Sequence, residues 1–287
     1  MVRKTLTGLA TLSVAVLVVS ACRAGDAPVS YPAGNLAADS YEPGPGWRLV
    51  WSDEFEGETL DPAKWKRQVL EPGRFNGEWQ RYTDSSRNAY IDDGCLVIKA
   101  IHAGESHGPD QYTSARLHTP PENGWTYGRI AARIQLPYGQ GIWPAFWMLG
   151  STIDENGGDT PWPQAGEIDI LELYGSKDNA VVEANIHYAG KSGAHADMGA
   201  VGTRLEQGIF ADKFHVFEIE WDAGSIDWFV DGERFASAPI VAEEFSEFHE
   251  PFFILLNVAV GGRGAGPADN STQFPQTMYV DWVRVYQ

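Results

Sequence analysis

The segment Gly166-Glu167-Ile168-Asp169-Ile170-Leu171-Glu172 places three carboxylates within six residues, between aliphatic side chains suited to a β-strand. Side chains alternate between the two faces of a strand, so Glu167 and Asp169 share one face and the isoleucines share the other. Regular alternation would then bury Glu172. One extra residue in the strand, a β-bulge, would return Glu172 to the acidic face. We therefore predict a bulged strand that presents all three acids together.

Three carboxylates on one face repel each other unless they share protons or bind something. A retaining glycosidase needs a carboxylate nucleophile and a carboxylic acid about 5–5.5 Å apart. Strand residues four steps apart lie roughly 13 Å apart at Cα, and long glutamate side chains leaning inward close much of that gap. The motif alone is also compatible with an edge strand protected by charges, or with a cation site.

Five further segments extend the pattern. They are Asn76–Thr83, Tyr112–Arg116, Tyr127–Gly150, Asn185–Tyr188 and Leu256–Gly262. With the acid motif, they make the chain from about Trp47 to Gln287 resemble the family-16 glycoside hydrolases, specifically the laminarinase (endo-1,3-β-glucanase) branch. The extra residue in the acid motif looks like the laminarinase version, since the lichenase version lacks it.

The resemblance implies a role for each acid. Glu167 matches the nucleophile, Glu172 the general acid/base, and Asp169 the residue that hydrogen-bonds the nucleophile and tunes its charge. Glu172 must hold a proton near neutral pH, and burial beside other carboxylates raises a carboxyl pKa. His187, in Asn185–Tyr188, is expected to approach the acids in a supporting role.

The predicted substrate-binding residues fall into a polar and an aromatic set. The resemblance implies that four polar residues hydrogen-bond the sugars: Asn76, Glu78, Gln80 and Arg116. Four tryptophans are candidate walls of the cleft: Trp125, Trp143, Trp147 and Trp162. Trp143 and Trp147 are four residues apart, so they share a strand face, which is either the cleft face or the core face. The loop Gly261–Gly266 lacks the tryptophan that the family tends to carry after the two glycines.

Apolar runs separated by turn residues predict an all-β sandwich or barrel. Predicted strands include Leu96–Ala100, Gly128–Leu136, Trp143–Leu149, Glu167–Leu173, Val182–Tyr188, Phe214–Trp221, Ser225–Val230, Phe252–Val260 and Met278–Tyr286. Asp231-Gly232 is typical of a tight hairpin, and one short helix is expected near Val241–Phe248. The resemblance selects a jelly-roll β-sandwich of two curved antiparallel sheets, concanavalin A-like, with an open substrate cleft that suits internal cleavage of a long chain.

Composition agrees with a protein that binds neutral polysaccharide. The 287 residues include 21 Lys and Arg against 39 Asp and Glu, a net charge of −18. Such a surface disfavours nucleic acid and anionic lipid. The eleven Trp and eleven Tyr supply flat faces that stack on sugar rings. We expect a monomer whose partner is a β-glucan.

The N-terminus predicts export. Residues 1–21 combine a basic start with an apolar run, as in a secretory signal, and Val19-Ser-Ala-Cys22 resembles a bacterial lipobox. We therefore predict a lipoprotein signal peptide (1–21), a lipidated Cys22 with a Pro-rich tether (22–46), and a catalytic domain (47–287) anchored at the bacterial cell envelope or surface. The alternative is an ordinary signal peptide and a secreted enzyme. If Cys22 is lipidated, no disulfide is available and Cys95 acts as a small buried hydrophobe.

The resemblance also implies a structural calcium ion remote from catalysis, which needs no cofactor. Glu54, the Gly94 carbonyl and Asp281 are the matching ligands, and oxygen ligands suit Ca²⁺. Surface acids without a metal are the alternative.

Two other functions stay open. One is a neighbouring specificity on the same fold, for mixed-linkage β-glucan or a marine galactan. The other is a non-catalytic glucan-binding surface lipoprotein, against which the three acids argue.

Overall fold

Two β-sheets packed against each other make up the structure, a computed structural model that describes residues 41–287. In chain order the strands are β1 Leu49–Asp53, β2 Lys66–Gln68, β3 Gln80–Tyr82, β4 Ala89–Asp92, β5 Cys95–His102, β6 Tyr112–Ser114, β7 Arg116–His118, β8 Gly128–Gln135, β9 Ile142–Gly150, β10 Glu167–Glu172, β11 Val181–Ala189, β12 His195–Asp197, β13 Val201–Arg204, β14 His215–Trp221, β15 Ser225–Val230, β16 Glu233–Pro239, β17 Phe252–Val260 and β18 Gln276–Tyr286. Short 3-10 helices span Pro121–Asn123, Asp154–Asn156 and Glu243–His249, and a one-turn α-helix, α1, spans Gly262–Ala265.

The ten-stranded sheet has the order β16-β15-β14-β8-β18-β5-β6-β3, with β1 beside β18 and β4 beside β5. The eight-stranded sheet has the order β12-β11-β10-β9-β17-β7-β2, with β13 beside β11. Neighbouring strands are antiparallel, apart from the parallel pair β3 and β6. This arrangement confirms the predicted jelly-roll sandwich.

The core lies between the sheets and is built from the inward faces of their central strands. All nine residues of β17 are buried, because this strand lies between β9 and β7 and is covered on both faces. On its core face it contributes Phe252, Ile254, Leu256 and Val258, which belong to the main hydrophobic cluster. The opposite face of β17 looks toward the acids, and Asn257 is the polar residue there.

The predicted turn and helix have clear counterparts. Asp231 and Gly232 have φ angles of 51° and 82°, which are the paired positive values that a type I′ hairpin requires. The chain between β16 and β17 does form a helix, but it is a 3-10 helix over Glu243–His249.

The first described residues already pack on the ten-stranded sheet. The Tyr41 ring lies 4.9 Å from that of Trp282, and its hydroxyl donates to Glu218. Arg129 donates to the Pro43 carbonyl at 2.7 Å. These contacts lie on the outer face of the sheet, so the last residues of the predicted tether are held against the domain.

The predicted signal peptide and Cys22 lie outside the described residues. Cys95 is completely buried, as expected. Among residues 41–287, none of the helices is long and apolar enough to cross a membrane.

Candidate active site

The acid strand β10 carries the predicted bulge. Against β9, Asp169 pairs with Trp147 and Leu171 with Phe146, so the strand has one residue more than its partner there. Glu167, Asp169 and Glu172 consequently lie opposite Leu149, Trp147 and Ala145, which all share one face of β9. Ile170 and Leu171 are both buried beneath. The bulge thus brings the three acids to one face, as the sequence predicts.

Burial and mutual repulsion govern the acids. Burial raises the pKa of Glu167 well above its usual range, and the charge of Asp169 raises it further. Burial, followed by the charge of Glu172, does the same to Asp169. The pKa of Glu172 is also raised by burial. Because all three shifts go upward, the cluster keeps a proton to higher pH than separate carboxyls would, which provides an acid beside a carboxylate.

Two aromatic residues hold Glu172. The indole nitrogen of Trp143 donates to Glu172 Oε1 at 2.8 Å, and the hydroxyl of Tyr174 also bonds its carboxylate. Both hydrogen bonds lower the pKa of Glu172 and so oppose its burial. The two rings lie 5.1 Å apart. Gly264, in α1, is needed here, because a Cβ would come within 2.6 Å of Tyr174 and 2.8 Å of Trp143.

At the other end of the strand, Trp162 and His187 flank the acids. Trp162 is 45% exposed, and its indole nitrogen donates to Glu167 Oε2 at 3.0 Å. His187 pairs with Glu167 across the β10–β11 ladder. Its Nε2 lies 3.2 Å from Asp169 Oδ2 and 3.8 Å from Glu167 Oε1. His187 is therefore placed to donate to Asp169, in agreement with its predicted supporting position.

A buried polar network surrounds Glu78. Three side chains donate to the Glu78 carboxylate. They are Gln80 Nε2 at 2.7 Å, the Tyr82 hydroxyl at 3.2 Å and the amide of exposed Asn76 at 3.5 Å. Burial raises the pKa of Glu78, and these donors lower it. Gln80 also accepts from the Val260 amide at 2.7 Å. The amide nitrogen and the amide oxygen of Gln80 are thus both hydrogen-bonded within the protein, so Gln80 positions Glu78 and β17.

Arg116 and Trp147 continue this network across the same sheet face. The Arg116 guanidinium lies 4.8 Å from the ring of Trp147 and 4.7 Å from that of Phe75. It is 4% exposed and donates to Glu155 at 2.6 Å. Trp147 donates to Asn257 at 2.8 Å. Trp143 and Trp147 therefore both lie on the acid face, but one face of Trp147 is covered by arginine.

Trp125 is placed differently from the other tryptophans. It pairs with Phe252, whose side chain points into the core, and its ring lies 5.3 Å from that of Trp51. It packs against the main hydrophobic cluster. Because this is the face of the sheet opposite the acids, Trp125 does not fit the predicted wall of the cleft.

The predicted calcium ligands are engaged with arginines. Arg284 donates to both carboxylate oxygens of Glu54, at 2.9 and 2.7 Å, and Arg133 donates to buried Asp281 at 2.6 Å. Gly94 lies in the turn between β4 and β5 with φ of 75°. Calcium requires several oxygen ligands turned toward the ion, whereas a carboxylate in a forked pair with arginine is already neutralised. A calcium ion would have to displace these arginines, and calcium binding stays a prediction.

Three residues of the site were not predicted from the sequence. Tyr174 follows Glu172 by two residues, so alternation after the bulge places it on the acid face. Asn257 is a polar residue within the apolar strand β17, which is a readable signal. His195, whose Nε2 lies 2.9 Å from His187 Nδ1, is on the three-residue strand β12 and carries no comparable signal.

Comparison with known proteins agrees with this geometry. The model of the family described as glycosyl hydrolases family 16 matches residues 76–284. The beta-glucanase of Rhodothermus marinus is 38% identical over 262 residues, covering 88% of this chain and 89% of that protein. Glucan endo-1,3-beta-glucosidase A1 of Niallia circulans is 36% identical over 264 residues; the match covers 84% of this chain but only 38% of that protein.

A solved structure shares the fold and much of the sequence. It is a LamA variant from Zobellia galactanivorans in complex with laminaritriose and laminaritetraose, with a TM-score of 0.74 and 34% identity. The match covers 83% of this chain and 98% of that one.

Proposed function

The chain belongs to glycosyl hydrolase family 16, and from this premise we propose that it is a retaining endo-acting hydrolase of β-1,3-glucan. The observation that carries the proposal is the bulge in β10, which sets Glu167, Asp169 and Glu172 on one face and leaves them buried enough to share a proton. Retaining hydrolysis needs such a protonated and ionised pair of carboxyls.

Glu167 is assigned as the nucleophile. Its carboxylate attacks the anomeric carbon as the bond from that carbon to the leaving oxygen breaks, and Glu172 donates its proton to that oxygen. The result is a glycosyl ester on Glu167. The indole N–H of Trp162 favours the ionised form of Glu167, and developing positive charge on the sugar favours it further.

Glu172 then acts as a base. It takes a proton from a water molecule that attacks the anomeric carbon, the ester bond breaks, and Glu167 leaves as a carboxylate. The second inversion restores the original configuration. Glu172 must therefore be protonated in one step and ionised in the next. Burial serves the first requirement, and the donors Trp143 and Tyr174 serve the second.

Asp169 and His187 are assigned supporting roles. Asp169 lies between the two glutamates on the strand, where its charge and its hydrogen bond with Glu167 tune the nucleophile. His187 is placed to donate to Asp169, which orients that carboxylate.

Specificity for β-1,3-linked glucose is supported by the relatives. The three acids do not distinguish between linkages, because every glucanase of this mechanism requires them. The Niallia protein is named as an endo-1,3-beta-glucosidase, and the Zobellia structure contains laminari-oligosaccharides. Trp143 and exposed Trp162 flank the two glutamates and offer surfaces for sugar stacking. Arg116 and Glu78 form a polar group farther along the same sheet.

A panel of polysaccharides tests the proposal. We expect release of reducing ends from laminarin and curdlan, with short oligosaccharides appearing early because cleavage is internal, and little or none from agarose and carboxymethylcellulose. The Glu167→Gln variant is the matched control and should release nothing. Activity on lichenan or agarose without activity on laminarin would assign the other specificity. If wild type binds laminarin but is as inactive as Glu167→Gln, the protein is a glucan-binding protein.

A further inference from the structure

Three potential metal ligands lie together at the edge of the eight-stranded sheet. In the β11–β12 hairpin, His187 pairs with Asp197 and Ala189 pairs with His195. Since residues two apart on a strand share a face, His187, His195 and Asp197 all project from the acid face. One ligand atom from each lies within 4.8 Å of the others. The pairing of the hairpin thus assembles two imidazoles and a carboxylate.

From this arrangement we propose that the chain binds a zinc-like divalent transition metal ion at His187, His195 and Asp197. The atoms facing each other are His187 Nδ1 and His195 Nε2, 2.9 Å apart, and Asp197 Oδ2 lies 4.0 Å from His195 Nε2. Zinc binds such nitrogens at about 2.0–2.1 Å and carboxylate oxygens at about 2.0–2.2 Å, so small side-chain shifts suffice. Imidazole ligands favour zinc, copper and nickel over calcium and magnesium.

The second ring nitrogen of His187, Nε2, supports this assignment. His187 Nε2 lies 3.2 Å from Asp169 Oδ2, a buried oxygen. A histidine that ligates a metal through one ring nitrogen usually donates from the other to a carboxylate, which fixes the ring and its tautomer. Asp169 therefore already stands where the outer partner of a ligating histidine belongs.

The site is open to an ion from solution. The side chains of His187, His195 and Asp197 are 19%, 41% and 37% exposed. Three protein ligands leave a fourth position of a tetrahedral zinc free for water. The site is distinct from the sugar-cleaving pair, but it shares His187 with the supporting residues of the acids.

Occupancy should inhibit hydrolysis. A metal ion on His187 lies next to the acid cluster, because His187 Nε2 is 3.2 Å from Asp169 Oδ2 and 3.8 Å from Glu167 Oε1. It also lies against the aromatic wall, since the ring of His195 is 4.7 Å from that of Trp162. Zinc bound here would therefore fix the rings of His187 and His195 beside the acids and disturb the stacking of sugar on Trp162.

Calorimetric titration of the full chain with ZnCl₂ in non-chelating buffer tests the site without relying on hydrolysis. The matched control comes from a second stacked histidine pair, His102 and His107, whose rings lie 4.7 Å apart. The proteins to compare are wild type, His195→Ala, Asp197→Asn, Asp169→Asn and His107→Ala.

We expect one zinc per chain in wild type and in His107→Ala, with no such binding in His195→Ala. Asp197→Asn should weaken it, and Asp169→Asn should weaken it about 10- to 100-fold, as loss of an outer partner does. Zinc should inhibit laminarin hydrolysis by wild type, and EDTA should restore the activity. Without zinc, Asp197→Asn should hydrolyse laminarin at the wild-type rate, and added zinc should inhibit it less than wild type. Equal zinc affinity in wild type and His195→Ala, or an equal loss in His107→Ala, would overturn the assignment.

Discussion

The hydrogen bond from Trp143 to Glu172 makes the pH dependence of the enzyme a test of the assigned roles. Trp143→Phe keeps an aromatic ring on the acid face but removes the N–H that lies 2.8 Å from Glu172 Oε1. That N–H stabilises the ionised carboxylate and lowers the pKa of Glu172. Its removal must therefore raise this pKa, so that Glu172 keeps its proton to higher pH.

The size of the effect follows from the strength of the lost bond. A hydrogen bond to a charged group contributes about 1.5–3 kcal/mol, and about 1.4 kcal/mol corresponds to one pKa unit. Tyr174 still donates to Glu172, and solvent replaces part of what is lost, so we take the lower end. The alkaline limb of kcat/KM, which reports the protonated acid in the free enzyme, should move up by about one pH unit.

The assay is kcat/KM on laminarin across the pH range for three proteins. Trp147→Phe is the matched control: it makes the same substitution four residues along the same strand face, but its indole donates to Asn257. Both variants lose an indole from the cleft and are expected to raise KM. Only Trp143→Phe should move the alkaline limb. An unmoved limb in Trp143→Phe, or the same displacement in both variants, would refute Glu172 as the proton donor.

Two further predictions concern the other glutamate and the N-terminus. With a dinitrophenyl β-glycoside, Glu172→Gln should accumulate the glycosyl-enzyme, and azide should restore turnover as the β-azide, because azide needs no base; a β-azide formed by Glu167→Gln, with the α-azide formed by Glu172→Gln, would instead reverse the two roles. Cys22→Ala should convert a membrane-bound protein into a soluble one, since the two acyl chains of a diacylglycerol suffice for stable anchoring. A wild type that is already fully soluble, with a mature start beyond residue 22, would contradict the anchor.

The sequence predicts the acid strand well because two independent requirements agree there. The acids need a common face, and the aliphatic residues between them need burial, and a bulge satisfies both. Ile170 and Leu171 are indeed both buried. Strand bounds elsewhere fall within a few residues of the prediction, since turns such as Asp231-Gly232 interrupt the apolar runs.

Side-chain partners across the fold were harder to predict. Trp125 precedes a strand in the sequence much as Trp162 does, yet one packs on Trp51 and the other contacts Glu167. What separates them is the face of the sheet on which each enters, which depends on pairing with a distant strand. The predicted calcium ligands illustrate the same limit. Glu54 pairs with Arg284 and Asp281 pairs with Arg133, and each arginine is distant in sequence from the acid that it contacts.

The contacts of Tyr41 show on which side of the sandwich the chain enters the domain, relative to the cleft. Tyr41 contacts the outer side of the ten-stranded sheet, and the acids open on the outer side of the eight-stranded sheet, so the entering chain and the cleft occupy opposite poles of the sandwich. If the N-terminus is fixed to a membrane, the chain reaches the domain on the side opposite the cleft, which leaves the cleft free to face the medium. A long glucan could then be engaged in mid-chain without threading between enzyme and bilayer.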